Sequence, residues 1–251
     1  MSWRVALIDS CGEWPGAVAA AAFVDEGAVE VAGCAAVQAN TDRRVEAIAG
    51  ARWVRRCATV TDATGHGSRV ARVLTDGPGV CSLMLGQVFV GAAPASAAVV
   101  AAAVDWAVAG GADLIHMSLG LAADRAVLAA AVSRAVDAGC VVVASAPARG
   151  GVVYPAAYAG VIRATGDARC GPGELSCLGP GHFGGCPRVN AGPGLGAGAD
   201  VGAGASIGAA WVTRSILSDP IPGGPREVME RMMPRVIHWG AEHRGAVVTR
   251  L

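Results

Sequence analysis

Thr64-Gly65-His66-Gly67-Ser68-Arg69-Val70-Ala71 sets a histidine between two glycines at the head of a helical pattern. Upstream, the apolar run Arg4-Val5-Ala6-Leu7-Ile8-Asp9-Ser10 closes on an aspartate. Downstream, Gly202-Ala203-Gly204-Ala205-Ser206-Ile207-Gly208-Ala209-Ala210 opens a second helical pattern on a serine led by glycines. Each stretch alone has an ordinary reading: a carboxylate at a strand end, a histidine in a turn, small residues where helices pack closely. Together their residue types have a joint one. A nucleophilic serine needs a base to take its proton, and that base needs an acid to fix its tautomer and stabilise the imidazolium. Asp9, His66 and Ser206 are therefore the candidate catalytic residues.

Outward from these stretches the sequence alternates strand and helix signals. Strands are expected at residues 3–8, 51–60, 81–90, 114–117, 140–144 and 160–164, and helices at 67–74, 95–108 (started by Pro94), 123–138 and 207–217. Gly110-Gly111 and Gly139 fall where two of the helices should stop. In the 123–138 segment Val127, Leu128, Val132 and Val136 recur at helical spacing, which predicts one face packed on a sheet. Residues 166–204 are rich in glycine and proline and read as loop or short hairpin. The pattern predicts an α/β fold: one domain of three layers, a mainly parallel sheet between helices, with a helix in the extension at 220–251. In such sheets functional side chains gather at the carboxyl ends of strands, where Asp9 stands. His66 and Ser206 each sit at a helix start, where unpaired N–H groups favour developing negative charge.

The composition suits this. The chain has 251 residues, 53% hydrophobic and 16% charged, enough for a large buried core in one domain. Twenty basic and 20 acidic residues cancel, so neither nucleic acid nor an anionic surface is an expected partner. Every basic residue is arginine, which fits a coding bias in so Ala-, Val- and Gly-rich a chain. No charge occurs between Gly77 and Val104, but Pro78, Gln87 and Pro94 divide that stretch into a strand and a helix instead of a membrane span. The run from Val5 to Ile8 is too short for a signal peptide.

Eight cysteines without an export signal read as reduced thiols. Cys170, Cys177 and Cys186 lie near His182, but their spacings fit no compact two-residue ligand pair, so no metal is expected there. No cofactor motif is present, and none is expected. Cys11 should lie near the site, two residues after Asp9.

The three stretches resemble the motifs of the subtilisin-like serine proteases, in the same chain order of Asp, His and Ser. The first matches the family's apolar strand ending Asp-Ser/Thr-Gly until Cys11 intervenes before Gly12. The second matches His-Gly-Thr-His-Val-Ala with Ser68 for the threonine and Arg69 for the second histidine. The third keeps Gly204 and Ser206 but lacks the family's threonine and proline. Further on, His116-Met117-Ser118-Leu119-Gly120 resembles Asn-Met-Ser-Leu-Gly from Met117 onward. Tyr154-Pro155-Ala156-Ala157-Tyr158-Ala159-Gly160-Val161-Ile162 resembles the family's Tyr-Pro-Ala-x-Tyr-Pro-x-Val-Ile. The resemblance implies that Ser118, Leu119 and Gly120 bind substrate as an added strand, together with residues 91–96.

Two departures shape the expected activity. Ala148 falls where the family carries the asparagine that donates to the oxyanion, and Pro147 precedes it. Losing such a donor in subtilisin lowers the rate by about 10²–10³. Asp9 also lies so near the N-terminus that no prodomain is expected, and the His66–Ser118 interval is too short for the family's calcium loops. The resemblance thus implies a cytoplasmic endopeptidase, slow and selective, that removes a leader from a peptide or protein precursor. In size and degenerate motifs the chain is similar to the branch of the family associated with maturation of quinohemoprotein amine dehydrogenase. A pseudoprotease that binds a peptide or partner protein without cutting it is the alternative. A Gly-x-Ser-x-Gly elbow of the α/β-hydrolase kind is missing after an early strand.

Overall fold

The computed structural model describes residues 3–10, 18–25, 28–33, 45–48, 51–55, 62, 64–75, 80–89, 95–189, 204–219 and 221–241. In chain order the elements are β1 (Trp3–Asp9), β2 (Val18–Asp25), β3 (Ala28–Gly33), β4 (Val45–Ile48), β5 (Ala51–Arg55), α1 (His66–Thr75), β6 (Val80–Gln87), α2 (Ala97–Ala109) and β7 (Leu114–Met117). There follow α3 (Ala126–Asp137), β8 (Val141–Ser145), β9 (Val161–Gly166), β10 (Leu175–Gly179), β11 (His182–Gly185), α4 (Ala205–Leu217), α5 (Pro225–Met232), a 3-10 turn and β12 (Val236–Trp239).

The strands form one sheet in the order β12-β10-β11-β9-β8-β7-β1-β6-β2-β3-β5-β4. Its centre, from β9 through β8, β7, β1 and β6 to β2, is parallel throughout. Antiparallel pairing is confined to β2–β3, β4–β5 and the hairpin β10–β11. The expected α/β architecture is therefore present, and the glycine-rich segment contains the short hairpin its composition suggested. The strands β2, β3, β4 and β12 were not expected. An alanine-rich strand such as Val-Ala-Ala-Ala-Ala-Phe-Val-Asp carries no strand signal, since alanine is the best helix former and only the sheet beside it decides otherwise. β5 covers only the first half of the 51–60 expectation, and residues 56–61 lie outside the described residues. So do Cys11, Pro94 and most of the 91–96 segment.

β1 shows how the layers form. Val5 and Leu7 face one side and pack with Val70, Leu74, Ile207 and Ile216 of α1 and α4. Ala6 and Ile8 face the other and pack with Val100, Val104, Leu128 and Val132 of α2 and α3. A strand buried on both faces needs apolar residues at every position, which explains an unbroken run in place of alternation. Each large side chain buried this way contributes about 1.5–3 kcal/mol. Buried residues occupy most of α2 and α4, so both helices are enclosed nearly all round, α4 with Thr213, Arg214 and Ser215 among its buried residues.

α3 buries Leu128, Ala131, Val132 and Ala135. Val136 packs at the edge of that core, whereas Val127, expected on the same face, is 42% exposed. The true stripe passes through alanines, which apolar spacing read from valine and leucine alone overlooks. Gly111 and Gly139 follow α2 and α3 with positive φ, as C-terminal glycines should. α2 begins on Ser96, whose side chain accepts from the Val99 N–H. Among the described residues no helix is long and apolar enough to cross a membrane.

Candidate active site

Parallel register brings the carboxyl ends of β1, β7 and β8 into one row. Leu7 pairs with His116 and Ile8 with Met117, while Met117 pairs with Ala144 on the other side. Asp9, Ser118 and Ser145 are thus the next residues on three adjacent strands. α1 and α4 pack together on the same face of the sheet. Their N-termini carry His66 and Ser206.

Asp9 is buried, 1% exposed, and its Oδ1 lies 2.7 Å from His66 Nδ1. The same oxygen accepts from the Ser10 N–H at 2.6 Å. Nothing among the described residues bonds Asp9 Oδ2. The His66 ring is 35% exposed. Its hydrogen bond to Asp9 raises its proton affinity above the ordinary histidine value; burial and the Arg69 charge oppose this, and the charges of Asp9 and Asp62 add to it. With Nδ1 engaged, Nε2 is the nitrogen left to handle a substrate proton.

Asp62 secures the start of α1, a role the sequence reading missed. Its Oδ2 accepts from the Ser68 N–H at 2.8 Å and its Oδ1 from the Gly65 N–H at 2.8 Å. Burial pushes the Asp62 carboxyl up, but hydrogen bonds from Ser68, Ser10 and Thr64 outweigh it and hold the group below the usual range. Ser10 Oγ lies 2.9 Å from Asp62 Oδ1 and 3.2 Å from Asp9 Oδ1, and accepts from the Gly67 N–H at 3.0 Å. A hydroxyl has one proton, and the shorter contact assigns it to Asp62. An acidic residue two to four positions before a helix start is the signal that could have found Asp62.

Ser206 is the second residue of α4 and half-buried. Gly204 before it has φ 134°, a conformation closed to side-chain-bearing residues, and its N–H donates to the Pro187 carbonyl at 2.9 Å. Gly208, one turn on, lies against the backbone of Thr165 and Gly166 so closely that a Cβ would overlap it. These two glycines seat the head of α4 on the end of β9. Ser206 Oγ donates to the Ser118 carbonyl at 3.5 Å. No hydrogen bond joins it to His66 among the described residues.

Ser118, Leu119 and Gly120 continue β7 past its last paired residue. The N–H groups of Leu119 and Gly120 find no partner among the described residues, whereas Leu121 is bridged to Tyr154. A groove of about 440 Å³ lies beside them, lined by Phe89, Val100, Leu119 and Leu121 with Arg125 at its edge. Behind the strip, His116 is fully buried between Thr213 and Ser118. The sequence reading noted it only as a departure from asparagine.

Ala148 is exposed on a bend after β8, and Arg149 beside it is exposed too. Cys170, Cys177 and Cys186 are buried free thiols, each donating to a backbone carbonyl, and Cys170 also meets the Ser176 side chain. Burial pushes the Cys170 thiol up to about 11. No group of three or more metal-ligating side chains occurs among the described residues.

No protein-family profile matches the sequence, and no curated protein matches it. Solved structures do. An S41 psychrophilic protease superposes with TM-score 0.57 at 15% identity, over 94% of this chain and 85% of that one. The prenylagaramide maturation protease PagA superposes with TM-score 0.54 at 15% identity, over 92% and 82%. A point mutant of the PatA protease domain superposes with TM-score 0.55 at 17% identity, over 92% and 86%. Likeness at these identities carries the fold, and the fold of this chain is the subtilisin-like α/β fold.

Proposed function

We propose that the chain is an intracellular, subtilisin-like serine endopeptidase that removes a leader from a peptide or protein precursor, slowly and selectively. The observation that carries this reading is the 2.7 Å contact between Asp9 and His66 beside a helix that opens on Ser206. In the reaction, Ser206 Oγ turns from the Ser118 carbonyl to His66 Nε2 and attacks the scissile carbonyl carbon. His66 takes the hydroxyl proton, Asp9 stabilises the imidazolium, and the proton then passes to the leaving amine as the C–N bond breaks. Water repeats the cycle on the acyl-enzyme and releases the carboxylate. The Ser206 N–H, in the first turn of α4 and without a partner among the described residues, is the remaining backbone donor for the oxyanion.

Selectivity follows from the open strip Ser118, Leu119 and Gly120, along which substrate backbone can pair over several residues. One fold neighbour is by name a maturation protease, in line with precursor processing. The resemblance to the protease of quinohemoprotein amine dehydrogenase maturation suggests one class of precursor to try. The test is covalent labelling by a fluorophosphonate, which reacts only with an activated serine. Labelling of the wild type and loss of label in Ser206→Ala is the expected result. Ser206→Ala should still bind a leader-bearing precursor while failing to cut it. A wild type that takes no label but binds the precursor is instead a peptide-binding pseudoprotease.

A further inference from the structure

His116 is the one imidazole buried completely within the sheet–helix interface among the described residues. Its neighbours on β7, Ile115 and Met117, face α2 and α3, while Leu114 and His116 face the α4 side. There His116 Nδ1 meets Thr213 Oγ1 at 2.8 Å and Nε2 meets Ser118 Oγ at 2.7 Å. Thr213 is itself fully buried and lies seven residues along α4 from Ser206, on the same face of the helix. Ser118 in turn offers its carbonyl to Ser206 Oγ at 3.5 Å. A closed circuit results: Ser206, two turns of α4, Thr213, His116, Ser118 and back to Ser206.

We propose that His116 is a positioning residue that fixes the head of α4 against the end of β7, setting the distance between the nucleophile and the strip that presents substrate. The proposal rests on the protease reading above. A neutral imidazole has one N–H and one acceptor nitrogen, so in either tautomer one hydroxyl accepts, the other donates, and both ends of the bridge are bonded. The buried ring stays neutral: burial, with the His66 charge, pushes its pKa down to about 3. No apolar residue could hold both hydroxyls, and an unmade bond here would strand a buried polar group.

Thr213→Val keeps the side-chain volume and removes the hydroxyl, while Thr213→Ser restores the hydroxyl without the methyl. With a fluorophosphonate probe and a peptide substrate, Thr213→Val should lower the maximal labelling rate and kcat by about tenfold, with probe affinity and KM within about twofold. Thr213→Ser should recover most of the rate despite its missing methyl, and both should keep the wild-type pH midpoint for His66. Ser118→Ala, which breaks the other end of the bridge near the surface, should reproduce the rate loss if Thr213→Val does not fold. Wild-type rates in Thr213→Val or Ser118→Ala overturn the proposal, as does a Thr213→Ser variant as slow as Thr213→Val. A loss confined to KM overturns it too. A wild type that takes no label overturns the protease reading, and this one with it.

Discussion

Asp9 and His66, 57 residues apart in sequence, are joined by a 2.7 Å contact between Oδ1 and Nδ1. The contact raises the proton affinity of His66, so at a given pH the imidazole is protonated to a greater extent than a free histidine. A general base must be neutral. Activity should therefore rise with pH through a midpoint above the ordinary histidine value of about 6.5. Asp9→Asn should move that midpoint down and lower kcat by about 10⁴. The stability the pair contributes runs the other way: it is fully present below the unfolded histidine pKa and is lost as pH rises through the folded value. A kcat/KM profile for wild type and Asp9→Asn, read beside chemical denaturation across the same range, checks both. An acid limb at or below the ordinary value in the wild type contradicts the argument.

Gly208→Ala should be far more harmful than its size suggests. The added methyl would fall on the backbone of Thr165 and Gly166, which cannot give way as a flexible side chain could. Overpacking of this kind costs about 1–3 kcal/mol, and here it pushes α4 off the end of β9. Since Ser206 lies two residues away, a shift of an ångström should lower turnover by roughly 10²-fold. Thermal unfolding and labelling rate, measured together, should both fall. A variant with a normal melting temperature and normal labelling would show that the close approach does not position the serine.

The central strands and four helices were legible because they obey simple rules: β1, β7, β8 and β9 are short, mostly apolar runs, and glycines follow α2 and α3. β2 was not legible, because its alanines favour a helix and only its sheet neighbours β6 and β3 make it a strand. Of the site, Asp9, His66 and Ser206 could be picked out because their local contexts carry chemistry. Asp62, Ser10 and His116 could not, since their roles depend on who stands opposite. His116 illustrates the limit. Its position in the motif was visible, but its bond to Thr213, 97 residues on, exists only after α4 has packed against β7.

Acid stability offers a separate check on His116. The buried ring is held neutral down to about pH 3, while the unfolded chain takes up a proton near 6.5. Between those values the unfolded state binds more protons, so stability falls as pH falls, with a slope approaching 1.4 kcal/mol per pH unit from this group, on the order of the single-proton limit. His182, whose pKa burial and the Arg163 charge push down to about 4, adds to the trend in the same direction. His116→Gln should flatten the dependence between pH 6 and 4, roughly the window in which only the unfolded histidine titrates. Denaturation midpoints that track pH identically in both proteins would dismiss this account.

Ala148→Asn should not restore fast turnover, although it returns the residue type that subtilisin-like proteases carry at that place. An oxyanion donor works only when aimed at the point where charge develops, and one misplaced donor gains little of the roughly 3–4 kcal/mol it could supply. Ala148 sits exposed on a bend after Pro147, whose fixed φ restricts the residue before it and sets the course of the chain that follows. An asparagine there projects toward solvent. Turnover should accordingly stay within about threefold of wild type on a leader-bearing precursor, far from the 10²–10³ a working donor contributes. Casein, which lacks the leader the enzyme selects, and short chromogenic peptides, too short to pair along Ser118, Leu119 and Gly120 over several residues, should remain poor substrates of both proteins. A gain of 10²-fold or more in Ala148→Asn, on the order of a full oxyanion donor, would show that the bend already points at the reacting carbonyl. Rapid digestion of casein by the wild type would show that selectivity does not reside in the open strip.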